Sequence, residues 1–265
     1  MEQALGFIGA GNMVSAILNG VLETGLARPD QVWLSNRSPE KLSPWKAKGV
    51  HVTLDNAEVA QNAQVIVLGV KPQVMDQVLP QIAPFVAGKC VVSIAAGISS
   101  AYLKERLPGS QVVRTIPNTP MKLGKGATAV AKAPDVPEET FRLACALFES
   151  AGAVAVIPES QMDDFIAVSG SSPAFFFRMA AAMVSTAEAA GIDPDLALHM
   201  AAQTMAGSAA MLLETGDTAQ ELTRQVCSPG GTTLAALTAF DDYRFEEMIG
   251  DAARRCAQRS KELGK

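Results

Sequence analysis

Apolar residues follow two rhythms along this chain. The first is a set of short continuous runs at 5–8, 32–34, 65–69, 90–94 and 112–116. Stretches with helical spacing fill the gaps, for example 39–47 and 74–83. Such alternation predicts a parallel sheet covered by helices on both faces. Two further runs, 127–131 and 153–157, flank a helical pattern at 137–150 and add strands.

The rhythm changes after residue 158. The remainder is rich in Ala, Met and Leu at helical spacing, with helices expected at 173–190, 194–214, 219–226, 232–240 and 244–263. Pro173 and Pro194 suit first helical turns, and Gly191 and Gly216 suit helix ends. The reading is therefore α/β: a Rossmann-type parallel-sheet domain with extra strands over 1–158, then an all-helical domain over 159–265. Residues 200–213 are apolar nearly all round, and a helix of that kind must be covered on most sides. About a hundred residues of helix cannot hide so much apolar surface, so homo-oligomerisation through this domain is expected. The most apolar stretch, 174–184, is broken by Arg178 and followed by Glu188. It reads as a buried helix, too short for a membrane span.

Charge and composition narrow the function classes. The chain of 265 residues has a net charge of −5 and no basic run or basic–aromatic patch, which argues against a nucleic-acid partner. Four cysteines, Cys90, Cys145, Cys227 and Cys256, show no CxxC spacing and read as reduced thiols of a cytoplasmic protein. Glu2 stands where a signal peptide would carry basic residues, so neither secretion nor a membrane location is expected. His51 and His199 are the two histidines, too few to suggest a His-based metal site or a Ser-His-Asp triad.

Candidate chemistry starts at the first strand. Ile8 leads into Gly9-Ala10-Gly11, then Asn12 and Met13 open a helical pattern. A strand that turns through glycines into a helix presents free N–H groups at a positive helix end, where a pyrophosphate binds. An ordinary tight turn gives the same glycines. Val14 replaces the third glycine of the dinucleotide fingerprint, which predicts a wider helix–strand spacing. Beyond the second strand, the acidic residue that holds a ribose 2′-hydroxyl in NAD sites is missing. Ser35, Asn36, Arg37 and Ser38 stand there instead. A guanidinium with hydroxyl and amide donors suits a 2′-phosphate, and so NADPH, with NADH use left open. The alternative for Arg37 is a solvated loop cation.

Three further strand ends carry small residues and prolines: Gly69-Val70-Lys71-Pro72, Ala95-Ala96-Gly97 and Pro117-Asn118-Thr119-Pro120. Each alone is an ordinary turn. In succession, at the carboxyl ends of strands, they favour a nicotinamide pocket. Far along the chain, Ser228-Pro229-Gly230-Gly231-Thr232-Thr233 separates two helical patterns. Glycines and hydroxyls before a helix make a small anion site suited to a carboxylate, or a plain glycine break with a Thr cap. Ser169-Gly170-Ser171-Ser172-Pro173-Ala174-Phe175 is expected to open the first long helix of the second domain, facing the cofactor or simply capping that helix.

These segments together, with Arg114-Thr115-Ile116 before the Pro117 turn, resemble the pyrroline-5-carboxylate reductase family over essentially the whole chain. The resemblance implies NAD(P)H-dependent reduction of Δ1-pyrroline-5-carboxylate to L-proline, interlocked dimers and rings of dimers. It places Ile8 to Met13 along pyrophosphate and nicotinamide, Ser35 to Arg37 around the adenosine 2′ position and Asn56 near the adenosine. Val70 to Pro72 and Ala95 to Gly97 would flank the nicotinamide. Gly230 to Thr233 would hold the substrate carboxylate, with Thr233 reaching the ring nitrogen as the catalytic group. Two positions depart from the family pattern: Ser172, usually Gly, and Val14, usually Ala. Glu214 and Asp217 both compete for an acidic pocket role. A β-hydroxyacid dehydrogenase shares the two-domain plan but needs a lysine where 173–190 has Arg178 and none. A non-catalytic NADP-binding sensor would not need the Ser228–Thr233 pocket.

Overall fold

The computed structural model describes residues 3–264. It packs as two compact units: one runs to Pro173 and takes the chain back from Ala253, and the other is Ala174–Ala252.

The first unit alternates strand and helix: β1 (Leu5–Ile8), α1 (Asn12–Glu23), β2 (Val32–Ser35), α2 (Ser43–Ala47), β3 (His51–Thr53), α3 (Asn56–Asn62), β4 (Val65–Leu68), α4 (Met75–Ile82), β5 (Cys90–Ser93), α5 (Ser100–Arg106), β6 (Gln111–Ile116), β7 (Gly126–Lys132), α6 (Glu138–Glu149) and β8 (Gly152–Val156). The eight strands form one sheet in the order β3-β2-β1-β4-β5-β6-β7-β8. Pairing is parallel from β3 through β6, antiparallel between β6 and β7, and parallel again between β7 and β8. The central strands are buried on both faces, which is why they are nearly continuous apolar runs. Side chains still alternate: Leu5, Phe7, Val65 and Val67 enter one core with α1 and α6. Ile8, Ile66 and Leu68 enter the other with α3, α4 and α5. Strand order reverses direction between β1 and β4, and the crevice outside their carboxyl ends is the ligand position of open α/β sheets.

Strand β3 has no counterpart among the expected apolar runs. It is a three-residue edge strand, and its exposed His51 stacks on Trp33 at 4.5 Å between centroids. An edge strand with one solvated face carries little apolar signal.

Past the sheet come α7 (Met162–Phe165), a π-helical turn (Ile166–Gly170), α8 (Ser172–Ala189), α9 (Pro194–Glu214), α10 (Ala219–Gln225), α11 (Thr232–Asp242) and α12 (Phe245–Leu263). Helix α8 opens within the Ser169–Phe175 segment, at Ser172, directly after the π-helical turn and the bend at Ser171, and the Ser172 hydroxyl donates back to the Val168 carbonyl at 2.7 Å.

The helical unit exposes much of its apolar surface. Phe176 and Phe177 are 55% and 67% exposed, Leu213 85%, and α9 buries only Ala201. The expected burial of 174–184 does not hold within one chain, which leaves the cover to the oligomerisation expected of this domain. The helical run is also longer than the apolar stretch, so it is not too short to span a membrane. Helical runs Glu159–Ala189 and Pro194–Glu214 are 31 and 21 residues long and apolar enough, by length and composition, to cross a membrane.

Candidate active site

The glycine turn is built as a backbone cradle. Gly9 has φ of +99°, and a Cβ there would sit 2.8 Å from the Gly69 carbonyl oxygen. Only glycine takes both the dihedral and the close approach. Gly11 is the N-cap of α1, no side chain caps that helix, and its first turn holds no acidic residue. A Cβ on Gly11 would meet nothing within 4 Å. This helix end thus borders open space at the positive pole of the helix, as a bound pyrophosphate requires.

Val14 fits by a swap. A Cβ on Gly69 would overlap Val14 Cγ2, so the room normally made by a third glycine in the helix is made by a glycine at the end of β4. Val14 is fully packed at 1% exposure.

The loop after β2 is tied to this turn. Gly9 N–H donates to the Ser35 carbonyl at 2.8 Å, and Ala10 N–H donates to Asn36 Oδ1 at 3.2 Å. Ser35 is fully buried; its hydroxyl donates to Asn56 Oδ1 at 2.7 Å, and Asn56 Nδ2 donates to Gln81 Oε1 at 2.9 Å. Ser35 and Asn56 are thus linked to each other, while Arg37 is exposed and makes no ion pair among the described residues. Val70 Cγ1 stands 3.2 Å from where a Gly9 Cβ would be, so the glycine turn and the loop after β4 share one crevice. Lys71 and Pro72 open a 3-10 turn there.

Ala95, Ala96 and Gly97 follow β5, with Ala95 N–H on Ser93 Oγ at 3.3 Å. Asn118, in the loop after β6, is a clip: its Nδ2 donates to the Ser169 carbonyl at 3.1 Å and its Oδ1 accepts from Ala127 N–H at 2.9 Å. The Ser169 hydroxyl is buried without a partner.

Sequence reading missed two cations. A cavity of about 600 Å³ opens on Ala10, Gly11 and Asn12 and is lined across from them by Lys41, Trp45 and Lys48. Lys48 donates to Asn19 Oδ1 at 3.0 Å. Lys41, four residues past Arg37, is the available signal: it extends the cationic face of the same loop.

The Ser228–Thr233 segment belongs to the helical unit. Gly231 N–H donates to the Ser228 carbonyl at 2.9 Å, Gly230 has φ of +69°, and Gly231 is the N-cap of α11. No side chain caps α11 and its first turn holds no acidic residue. Thr232 and Thr233 are the first two residues of that helix, Thr233 half-buried. This is a second anion-compatible helix end.

Residues 159–263 match the family model for pyrroline-5-carboxylate reductase dimerisation, and residues 4–97 match a model described as NADP oxidoreductase, coenzyme F420-dependent. The pyrroline-5-carboxylate reductase of Methanosarcina acetivorans is 37% identical, over 100% of this chain and 99% of the relative. That of Escherichia coli K12 is also 37% identical, over the full length of both. Among solved structures, a pyrroline-5-carboxylate reductase from Coxiella burnetii superposes with a TM-score of 0.93 at 33% identity, covering 100% of both chains. The Plasmodium falciparum pyrroline carboxylate reductase, solved with NADP bound, gives 0.91 at 26% identity over 100% of this chain and 99% of that one.

Proposed function

This chain belongs to the pyrroline-5-carboxylate reductase family, and from that premise we propose how its own residues serve the reaction. The enzyme reduces Δ1-pyrroline-5-carboxylate to L-proline with a nicotinamide cofactor and works as a homo-oligomer. The observation that carries this reading is an uncapped α1 N-terminus at the β1–β4 crevice, in a chain matched end to end by reductases of that name.

The fit to a dinucleotide rests on the cradle. Gly9, Ala10, Gly11, Asn12 and Met13 form the pyrophosphate cradle, Gly9 and Ala10 by shaping a turn whose own N–H groups are spent on Ser35 and Asn36, and the residues from Gly11 onward by offering N–H groups, with Ile8 beneath. Asn36 fixes the turn through Ala10, and Asn56, held by Ser35, borders the adenosine. Arg37 faces the 2′-phosphate and selects NADPH, and Lys41 and Lys48 add positive charge to the cavity that opens on Gly11. Gly69, Val70, Lys71, Pro72, Ala95, Ala96 and Gly97 form the walls against the nicotinamide. The cofactor, when bound, supplies the hydride.

Ser228, Gly230, Gly231, Thr232 and Thr233 hold the substrate carboxylate. A protonated imine is already a good hydride acceptor, so the protein contributes mainly orientation, worth up to about 7–11 kcal/mol. The Thr233 hydroxyl hydrogen-bonds the ring nitrogen and sets the face presented for reduction.

The functional division is placed between residues 158 and 159, supported by the start of the dimerisation match at 159. The exposed apolar faces of α8 and α9 are covered by partner subunits in dimers, and dimers close into a ring. That use of the apolar helices, with the net charge of −5, favours a cytoplasmic protein with no membrane or nucleic-acid partner. The hydroxyacid-dehydrogenase reading is not favoured: α8 carries Arg178 and no lysine.

The test is oxidation of NADPH, then NADH, by the purified protein with pyrroline-5-carboxylate. Turnover with both and a higher kcat/KM for NADPH is expected. Equal or better use of NADH overturns the Arg37 role. Cofactor binding without turnover overturns the substrate assignment.

A further inference from the structure

Arg114, on β6, is the one charged side chain among the buried members of the described residues, 4% exposed. Its Nη2 donates to Asp163 Oδ1 at 2.7 Å, and its Nη1 lies 3.7 Å from Glu159. Its Nε is buried with no partner. Burying a guanidinium is costly, and an incompletely satisfied ion pair rarely outperforms apolar packing of the same shape. Stability alone therefore explains the cluster poorly, and its connections supply a better reason.

Both carboxylates lead back to the loop after β5. Glu159 accepts from the Ser100 backbone N–H at 2.8 Å and from the Ser100 hydroxyl, at the start of α5. Asp163 accepts from the Ser260 hydroxyl on α12 at 2.7 Å. Lys261, the next residue, reaches Asp164 at 3.3 Å. The end of α12 in turn lies on Gly97. A Cβ there would meet the Ser260 carbonyl oxygen at 2.8 Å, the Gly264 nitrogen at 2.9 Å and the Leu263 carbonyl carbon at 3.1 Å. Gly97 also has φ of +76°, so this is backbone against backbone at a place where only glycine fits well.

We infer that the last turns of α12 are a strap that holds the 95–97 loop in its cofactor-binding shape, with Arg114 and Ser260 as positioning residues. Arg114 anchors Asp163, Asp163 fixes Ser260, and Ser260 seats the helix end on Gly97. Glu159 secures the other end of the loop through Ser100. The inference rests on the placement of Ala95–Gly97 beside the nicotinamide.

The test is Ser260→Ala in the full chain, with Ser260→Thr as the conservative variant. Loss of one hydrogen bond to a carboxylate should raise the KM for the reduced cofactor about five-fold, equivalent to about 1 kcal/mol. The KM for the imine and kcat should stay within about two-fold, Ser260→Thr should restore the cofactor KM, and hydrogen exchange in the 95–97 loop should quicken. A change spread equally over both KM values and tracking Tm would mean a merely structural role and overturn the inference. So would unchanged exchange in the loop. Faster exchange with an unchanged cofactor KM would also overturn it and remove the loop from the cofactor site. Wild-type cofactor affinity, measured first by fluorescence quenching, tests the parent reading separately.

Discussion

Gly69→Ala isolates the swap that lets Val14 stand in the dinucleotide turn. The Gly69 backbone is not in the left-handed region, so alanine adds no dihedral strain there. The added Cβ would overlap Val14 Cγ2 far inside van der Waals contact. Valine is stiff about χ1 and Val14 is 1% exposed, so the methyl has nowhere to swing. Overpacking of this kind costs about 1–3 kcal/mol. Val14→Ala alone removes two packed methyls and costs about 2 kcal/mol. In the double variant the offending atom is gone, and the nearest remaining atom of residue 14 is its Cβ, at 3.5 Å from the new methyl. The Ile8 carbonyl oxygen at 3.3 Å asks only for a shift of tenths of an ångström. The double variant should therefore be about 2 kcal/mol more stable than the sum of the singles. Urea unfolding at one fixed protomer concentration measures all four corners of the cycle, since assembly makes stability concentration-dependent. Singles that add to within about 0.5 kcal/mol would refute the argument that Gly69 makes the room for Val14.

Three further outcomes follow from the same geometry. Arg37→Ala should lower kcat/KM with NADPH by roughly 10–100-fold, the worth of a hydrogen bond to a charged group, while leaving NADH turnover and Tm nearly unchanged because no intramolecular ion pair is lost; equal losses with both cofactors would contradict the 2′-phosphate role. Thr233→Ala should cut kcat/KM for the imine by about ten-fold at unchanged cofactor affinity, and full retained activity would remove the hydroxyl from the mechanism. Burial pushes the Cys90 thiol up to about 12 and the Cys145 thiol to about 11 from 9.0, so both should resist thiol reagents in the folded protein at neutral pH. Each thiol loses its proton more easily when unfolded, so their contribution to stability is intact below pH 9.0 and is lost as pH rises toward those values, which alkaline unfolding curves would register.

The sheet was legible because its strands are buried on both faces. Leu5–Ile8 and Cys90–Ser93 are apolar or small without interruption, a pattern that needs no partner to be read. His51–Thr53 escaped because an edge strand keeps one face wet. The helices of the second half were legible in type and close to their ends, Pro194–Glu214 included, but not in burial within one chain. Hydrophobic pattern reports that a face must be covered; it carries no record of whether the cover comes from the same chain. Phe176 and Phe177, exposed here and apolar in sequence, mark that limit, and the match to a dimerisation family over 159–263 is what points to a second subunit.

The site divides along a similar line. Glycines at the ends of strands stand out in the sequence, and at Gly9 and Gly97 a positive φ and a close backbone approach explain why, whereas Gly11 has neither and is marked by its place between strand and helix. Side chains that act through other side chains leave no such mark. Ser35 looks like a surface hydroxyl donor in sequence, yet it is buried and spends its proton on Asn56. Arg114 lies inside a recognisable motif, yet its partners Glu159 and Asp163 are 45 and 49 residues away and Ser260 is 97 beyond Asp163. Local spacing encodes what the backbone must do at one turn. It cannot encode a cluster whose members meet only after the sheet has brought the end of the chain back to the loop after β5. The Arg114 cluster is therefore the part of this molecule where structure adds most to sequence, and the place where a one-atom change far along the chain from the glycine turn should be felt at the cofactor.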